Sequence, residues 1–140
     1  MIYEIYGAPD SGKSSYILNT LDKDKITLYI NSDFQITTEL MHENMYILNS
    51  NDVNLMKESV IQLIHLVDAV VIDSLPTVTN ETNNTEKVIT DIQKIISVCN
   101  RNKTDLYIVN QLRYNQGKED NTYYLNRLKL YYHKRIKVGQ

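Results

Sequence analysis

Cysteine is nearly missing from this 140-residue chain: Cys99 stands alone, so no disulfide framework can form within it. Long apolar runs are missing as well. Runs such as Leu66-Val67 and Ala69-Val70-Val71-Ile72 fall far below the ~18 residues that span a bilayer. The N-terminus reads Met1-Ile2-Tyr3-Glu4, without the basic stretch and apolar run of a secretory signal. These absences lead us to expect a soluble, cytoplasmic protein with no membrane partner, in which the Asn-x-Thr triplets at Asn80, Asn83 and Asn102 carry no meaning as glycan acceptors. His42, His65 and His133 are scattered, with no cysteine or paired acid at ligand spacing, which excludes a zinc site. No repeat and no linker interrupts the chain, and residues 1–140 are expected to form one domain around a single core.

What is present is an ordinary globular mixture, 42% apolar and 23% charged, which excludes a wholly disordered chain. Net charge is only −2, but it is unevenly spread. Residues 101–140 hold nine basic groups (Arg101, Lys103, Arg113, Lys118, Arg127, Lys129, Lys134, Arg135, Lys137) against three acids, Asp105, Glu119 and Asp120. Such asymmetry points to an anionic partner near the C-terminal segment; a solvated surface explains it equally well.

Strand and helix patterns alternate. Residues 2–6 are β-branched and aromatic and end at Gly7; 13–21 carry Tyr16, Ile17 and Leu21 at helical spacing; 26–30 read as a second strand closing on Asn31-Ser32-Asp33. A short helix is expected over 37–42 and a short strand over 45–48. Asp52 is placed to cap a helix bearing Val53, Met56, Val60, Ile61, Ile64 and Val67. The unbroken apolar run 69–72 suits a strand buried on both faces of a parallel sheet. After a Thr/Asn-rich loop at 76–85 comes an amphipathic helix with Val88, Ile89, Ile92, Ile95, Ile96 and Cys99 on one stripe, where Cys99 reads as core. Another buried strand is expected at 106–109, a polar loop at 113–121, a helix at 122–130 and a mixed basic and apolar stretch at 132–138. Met41 and Met45 read as packing residues. The alternation implies an α/β fold, a mostly parallel sheet flanked by helices.

One motif carries chemistry. Gly7-Ala8-Pro9-Asp10-Ser11-Gly12-Lys13-Ser14, followed by Ser15, is a complete G-x-x-x-x-G-K-S match set between a strand and a helix. Gly7 and Gly12 allow amide N–H groups to curl round a phosphate, and the helix that follows points its positive end at it. Lys13 would reach the outer phosphates of a nucleotide and the Ser14 hydroxyl would bind Mg²⁺. A magnesium nucleotide also needs an acid beside the metal. Asp73, at the C-terminal end of the 69–72 strand, lies where open α/β sheets bind ligands and is expected to hold Mg²⁺ through water.

Three segments together resemble the RecA-like ATPase family, which includes the recombinases and the DnaB-type helicases. They are the phosphate loop opening the chain, Val70-Val71-Ile72-Asp73-Ser74-Leu75, and Ile108-Val109-Asn110-Gln111-Leu112-Arg113. Asn126-Arg127-Leu128-Lys129-Leu130-Tyr131 further resembles the helix after the second DNA-facing loop of RecA. The resemblance implies ATP and Mg²⁺ as ligands, ATP hydrolysis and action on single-stranded DNA in recombination, repair or replication. It implies Lys13, Asp33, Asp73 and Gln111 as catalytic residues, with Asp33 polarising the attacking water and Gln111 sensing the γ-phosphate. The family carries Glu where this chain has Asp33, one methylene shorter, and Asp33 can equally be a loop acid or an N-cap. The DNA-facing loops correspond to 76–85 and 113–121, with Arg113, Tyr114, Lys118 and Arg127 as the residues expected to meet DNA, although Tyr114 can equally cover the sheet edge.

ATP in this family usually sits between subunits, and Arg135 and Lys137 are the late cations able to serve a neighbour, by self-assembly or in a larger ATPase partner. On this resemblance the chain is expected to correspond to the catalytic core with little to spare, without an accessory domain or a polymerising N-terminal segment. A regulator that binds nucleotide without turnover, docking on another recombinase or helicase, is the alternative. A small nucleotide kinase shares the phosphate loop, but its lid would draw on Arg101, Arg113, Arg127 and Arg135 alone.

Overall fold

The structure is a computed structural model of the chain and describes residues 1–34, 42–115 and 118–139. Strand β1 (Ile2–Gly7) is followed by helix α1 (Lys13–Thr20), strands β2 (Thr27–Asn31) and β3 (Met45–Leu48), and helix α2 (Val53–Leu63). Strand β4 (Ala69–Asp73), helix α3 (Thr85–Arg101), strands β5 (Asp105–Asn115) and β6 (Lys118–Thr122), the short helix α4 (Leu125–Leu128) and strand β7 (Lys134–Lys137) complete it. Six strands lie parallel in the order β3-β2-β4-β5-β1-β7, and β6 pairs antiparallel with β5. The α/β architecture expected from the alternating patterns is the one observed.

The central strands are apolar throughout because both of their faces are covered. Successive side chains alternate across a strand, so Leu28, Ile30, Val70 and Ile72 enter a core beneath α2 and α3. Tyr29, Ala69, Val71 and Val109 enter a second core beneath α1, against Ile17, Leu18 and Leu21. All six stripe residues of α3, Cys99 included, are buried. The Asp52 side chain caps α2 by accepting from the Asn54 N–H at 3.0 Å, as its position predicts.

Two expectations near the C-terminus are corrected. The polar stretch 113–121 is no open loop: β5 runs on to Asn115 and turns back into β6, with Leu112 opposite Thr122 and Asn115 opposite Lys118. Residues 122–130 hold only one turn of helix. Thr122 is committed to β6 and buried, and Tyr124 takes a left-handed φ of 59° at the N-cap, so the helix cannot begin earlier. The stretch 132–138 supplies β7, which pairs with β1 at the sheet edge. Of the helix expected over 37–42, residues 37–41, Met41 among them, lie outside the described residues, and His42 is not helical.

Candidate active site

The register of the sheet brings the chemistry to one edge. Gly7, the last residue of β1, lies opposite Gln111, and Asn31, the last of β2, lies opposite Asp73, the last of β4, while β5 runs past this level to Asn115. The segment after β1 folds back tightly, with the Ser11 N–H donating to the Ala8 carbonyl at 3.2 Å and a left-handed φ of 58° at Asp10. The two motif glycines serve different needs. A Cβ on Gly7 would stand 2.4 Å from the Val138 carbonyl oxygen and 2.6 Å from Ser11 Oγ, so the close passage of the chain after β7 excludes any side chain there. Gly12 has open space around it but a φ of +87°, a conformation that L residues rarely adopt.

Beyond Gly12, α1 begins and directs Lys13 and Ser14 toward the cleft. Lys13 Nζ donates to the Ala8 carbonyl at 2.6 Å, with the Gly7 carbonyl and Ser11 Oγ each at 3.5 Å. Its ammonium is held below the ordinary lysine range by partial burial, opposed by the carboxylates of Asp73, Asp10 and Asp33. Ser14 Oγ donates to Asp73 Oδ2 at 2.6 Å, and the buried Tyr29 hydroxyl donates to the same oxygen. Burial first, and the neighbouring Asp73 second, push the Tyr29 phenol far above its usual range.

Asp33 is set by a clamp between two strand ends. The Ser32 N–H donates to the Asp73 carbonyl at 2.7 Å, and Ser32 Oγ donates to the Ser74 carbonyl at 2.7 Å. Thr77 Oγ1 donates to that Ser74 carbonyl as well, at 2.9 Å. The residue after Ser32 is thereby tied to the end of β4, and Asp33 lines the same cleft as Asp73. Gln111 closes the far side; its N–H donates to Asn110 Oδ1 at 2.8 Å.

A cleft of about 410 Å³ thus gathers Lys13, Ser14, Ser15, Asp33, Asp73 and Gln111 with the Pro9–Gly12 turn, a size within the ~300–1,000 Å³ of small-molecule sites. Among the described residues, no group of three His, Cys, Asp or Glu side chains could hold a metal by itself. The donor set that is present, one hydroxyl and one carboxylate beside the Pro9–Gly12 turn, fits Mg²⁺, which keeps several waters and shares its ligands with phosphates.

The residues expected outside the cleft have varied placements. Arg113 and Tyr114 are exposed on the extension of β5, with the Arg113 guanidinium 5.4 Å from the centre of the Tyr123 ring. Lys118 opens β6. Arg127 donates to Glu86 on α3 at 2.7 Å, away from the cleft. Arg135, expected as a cation for a neighbouring site, is instead engaged within its own chain. Its Nε donates to Glu4 Oε1 at 2.6 Å, and its guanidinium stacks 4.5 Å from the centre of the Tyr6 ring. The reason is electrostatic: Glu4 is fully buried, and a carboxylate out of water needs a cation. Lys137 is exposed on the same edge strand.

Two features escaped sequence reasoning. Glu4 also accepts from Asn110 Nδ2 at 3.0 Å and Thr122 Oγ1 at 2.8 Å, so one carboxylate ties β1 to the residue before Gln111, to the base of the hairpin and to β7. Tyr29 reads as an apolar strand residue until β4 is placed beside it. The one available signal for Glu4 is an acid in the middle of an otherwise apolar strand.

No protein-family model and no curated protein sequence matches the chain. Among solved structures, it is similar to a KaiC-like protein from the hyperthermophilic archaeon Pyrococcus horikoshii. The TM-score is 0.61 at 11% identity, covering 83% of this chain and 64% of that one. This chain therefore spans somewhat less than two thirds of that protein's length. At this identity the likeness shows the fold alone, a parallel α/β sheet flanked by helices.

Proposed function

We propose that this protein binds ATP with Mg²⁺ at the phosphate loop and hydrolyses it in a RecA-like manner while acting on single-stranded DNA. The observation that carries the reading is the convergence of Lys13, Ser14, Asp33, Asp73 and Gln111 on one cleft from the start of α1, the ends of β2 and β4, and a position within β5. The loop amides and Lys13 would hold the phosphates, displacing the contact between Lys13 and the Ala8 carbonyl. Ser14 and Asp73 would hold Mg²⁺, whose contribution when bound is to neutralise charge on the phosphate oxygens. Asp33 would orient and polarise the attacking water. Gln111, at the start of the β5 extension, would carry the state of the nucleotide to the hairpin bearing Arg113, Tyr114 and Lys118. Charge from such cations follows a nucleic-acid backbone, and an exposed ring such as Tyr114 offers a base a stacking surface.

A second reading, a regulator that binds nucleotide and docks on another recombinase or helicase, is favoured by one observation. Among the described residues lining the cleft, Lys13 is the only cation, and Arg135 is held by Glu4. Turnover would then need a cation from a neighbour, whether a second copy of this chain or a larger ATPase. Such a group contributes about 10³–10⁵-fold. ATP hydrolysis measured with and without single-stranded DNA, over a range of protein concentrations, separates the readings. An enzyme shows a low basal rate that rises with both and is abolished by Lys13→Ala. A regulator shows Lys13-dependent binding with no turnover under any condition, and a rate indifferent to DNA removes the DNA-dependent motor.

A further inference from the structure

The mechanism above leaves Tyr29 without a task, although its buried hydroxyl donates to the carboxylate that would hold the metal. The residue is fully buried in the middle of β2, opposite Val71 of β4, and its ring belongs to the core beneath α1. A phenylalanine would fill that space with the same apolar surface. Burying a hydroxyl is unfavourable unless it finds a partner, and here the partner is Asp73 Oδ2. Asp73 is itself buried and lines the cleft.

Ser14 donates to the same oxygen, but the two donors differ in kind. Ser14 belongs to the phosphate loop and would itself be drawn onto the metal. Tyr29 is anchored in the sheet by a ring that cannot shift without opening the core. Both donors sit on Oδ2, and neither occupies Oδ1.

We propose that Tyr29 is a positioning residue for the metal site: its hydroxyl holds the Asp73 carboxylate in one rotation, so that metal binding need not first order it. The proposal rests on the nucleotide-binding reading and extends it to a residue outside the motif. Groups that orient a metal ligand typically contribute about 10–100-fold in metal affinity.

The test is Tyr29→Phe, which removes one oxygen and keeps the ring. Binding of a fluorescent ATP analogue is followed in EDTA and then across a Mg²⁺ titration, with Lys13→Ala alongside. The expected result is an unchanged affinity in EDTA and a Mg²⁺ half-saturation raised about 10-fold or more. An unchanged half-saturation in a variant that still binds nucleotide overturns the role of Tyr29 and leaves the nucleotide site standing. If the wild-type chain binds no nucleotide, or Lys13→Ala binds equally well, the nucleotide reading fails and the positioning role falls with it. Should Tyr29→Phe lose its native circular dichroism, wild-type protein labelled with ¹³C at the tyrosine hydroxyl carbon answers the question. The Tyr29 resonance must move when Mg²⁺ is added to the nucleotide complex, and a resonance that stays in place overturns the proposal.

Discussion

Replacing Glu4 by Gln keeps the shape of the side chain and removes its charge, which isolates what the buried carboxylate does. Glu4 is fully buried and accepts from Arg135 on one oxygen and from Asn110 and Thr122 on the other. An amide has a single acceptor oxygen. In its better orientation that oxygen keeps Asn110 and Thr122, and the amide N–H₂ then faces the Arg135 Nε–H, donor against donor. Breaking a buried ion pair costs about 3–5 kcal/mol. The Arg135 side chain is 35% exposed and can recover water, which brings the expected loss down to about 2–3 kcal/mol. For a chain of this size that corresponds to a fall in Tm of roughly 4–12 °C. Urea unfolding followed by circular dichroism reads it directly, as a lower midpoint at an unchanged slope. Arg135→Gln leaves the carboxylate buried without its cation and should cost more, and the double variant should cost less than the sum of the two singles. A Glu4→Gln midpoint equal to wild type, or strictly additive losses, would refute the reasoning that this pair organises the β7 edge.

Two further outcomes follow from the glycines and the buried acids. Gly7→Ala places a methyl 2.4 Å from the Val138 carbonyl oxygen and should cost about 1–3 kcal/mol while displacing β7 or the phosphate loop, whereas Gly12→Ala meets no atom and pays only for its φ of +87°, about 1–2 kcal/mol. Both are read by thermal unfolding, and equal tolerance of Gly7→Ala would contradict the close approach. Burial pushes the Cys99 thiol from an ordinary 9.0 to about 12, and the Tyr107 phenol from 10.0 to about 12. The folded chain holds these protons more tightly than the unfolded chain, so their contribution is complete below the unfolded values and is lost as pH rises through about 12. Urea midpoints should fall steadily from about pH 9 upward; midpoints flat to about pH 11 would show that neither group stays protonated in the fold.

Much of the fold was legible because its signals are local. The unbroken run Ala69-Val70-Val71-Ile72 can only be a strand covered on both faces, and the 3.6-residue stripe on α3 states which side packs. The hairpin was not legible, because polar residues on a short two-stranded extension carry no apolar alternation to mark them. The length of α4 was not legible either, since a single left-handed residue and one pairing partner set its start.

The candidate site divides along the same line. Gly7 to Ser14 is contiguous, so its tight turn and the helix start behind it were determined by the sequence alone, as was an acid at the end of β4. Which groups meet across strands was decided only by the tertiary structure. The strand order sets β2 beside β4 and β1 between β5 and β7. Through that order Tyr29 reaches Asp73, and Glu4 gathers Asn110, Thr122 and Arg135 from positions more than a hundred residues away. A buried charge must be met by whatever polar groups the packing brings to it, and no spacing along a chain records which those will be.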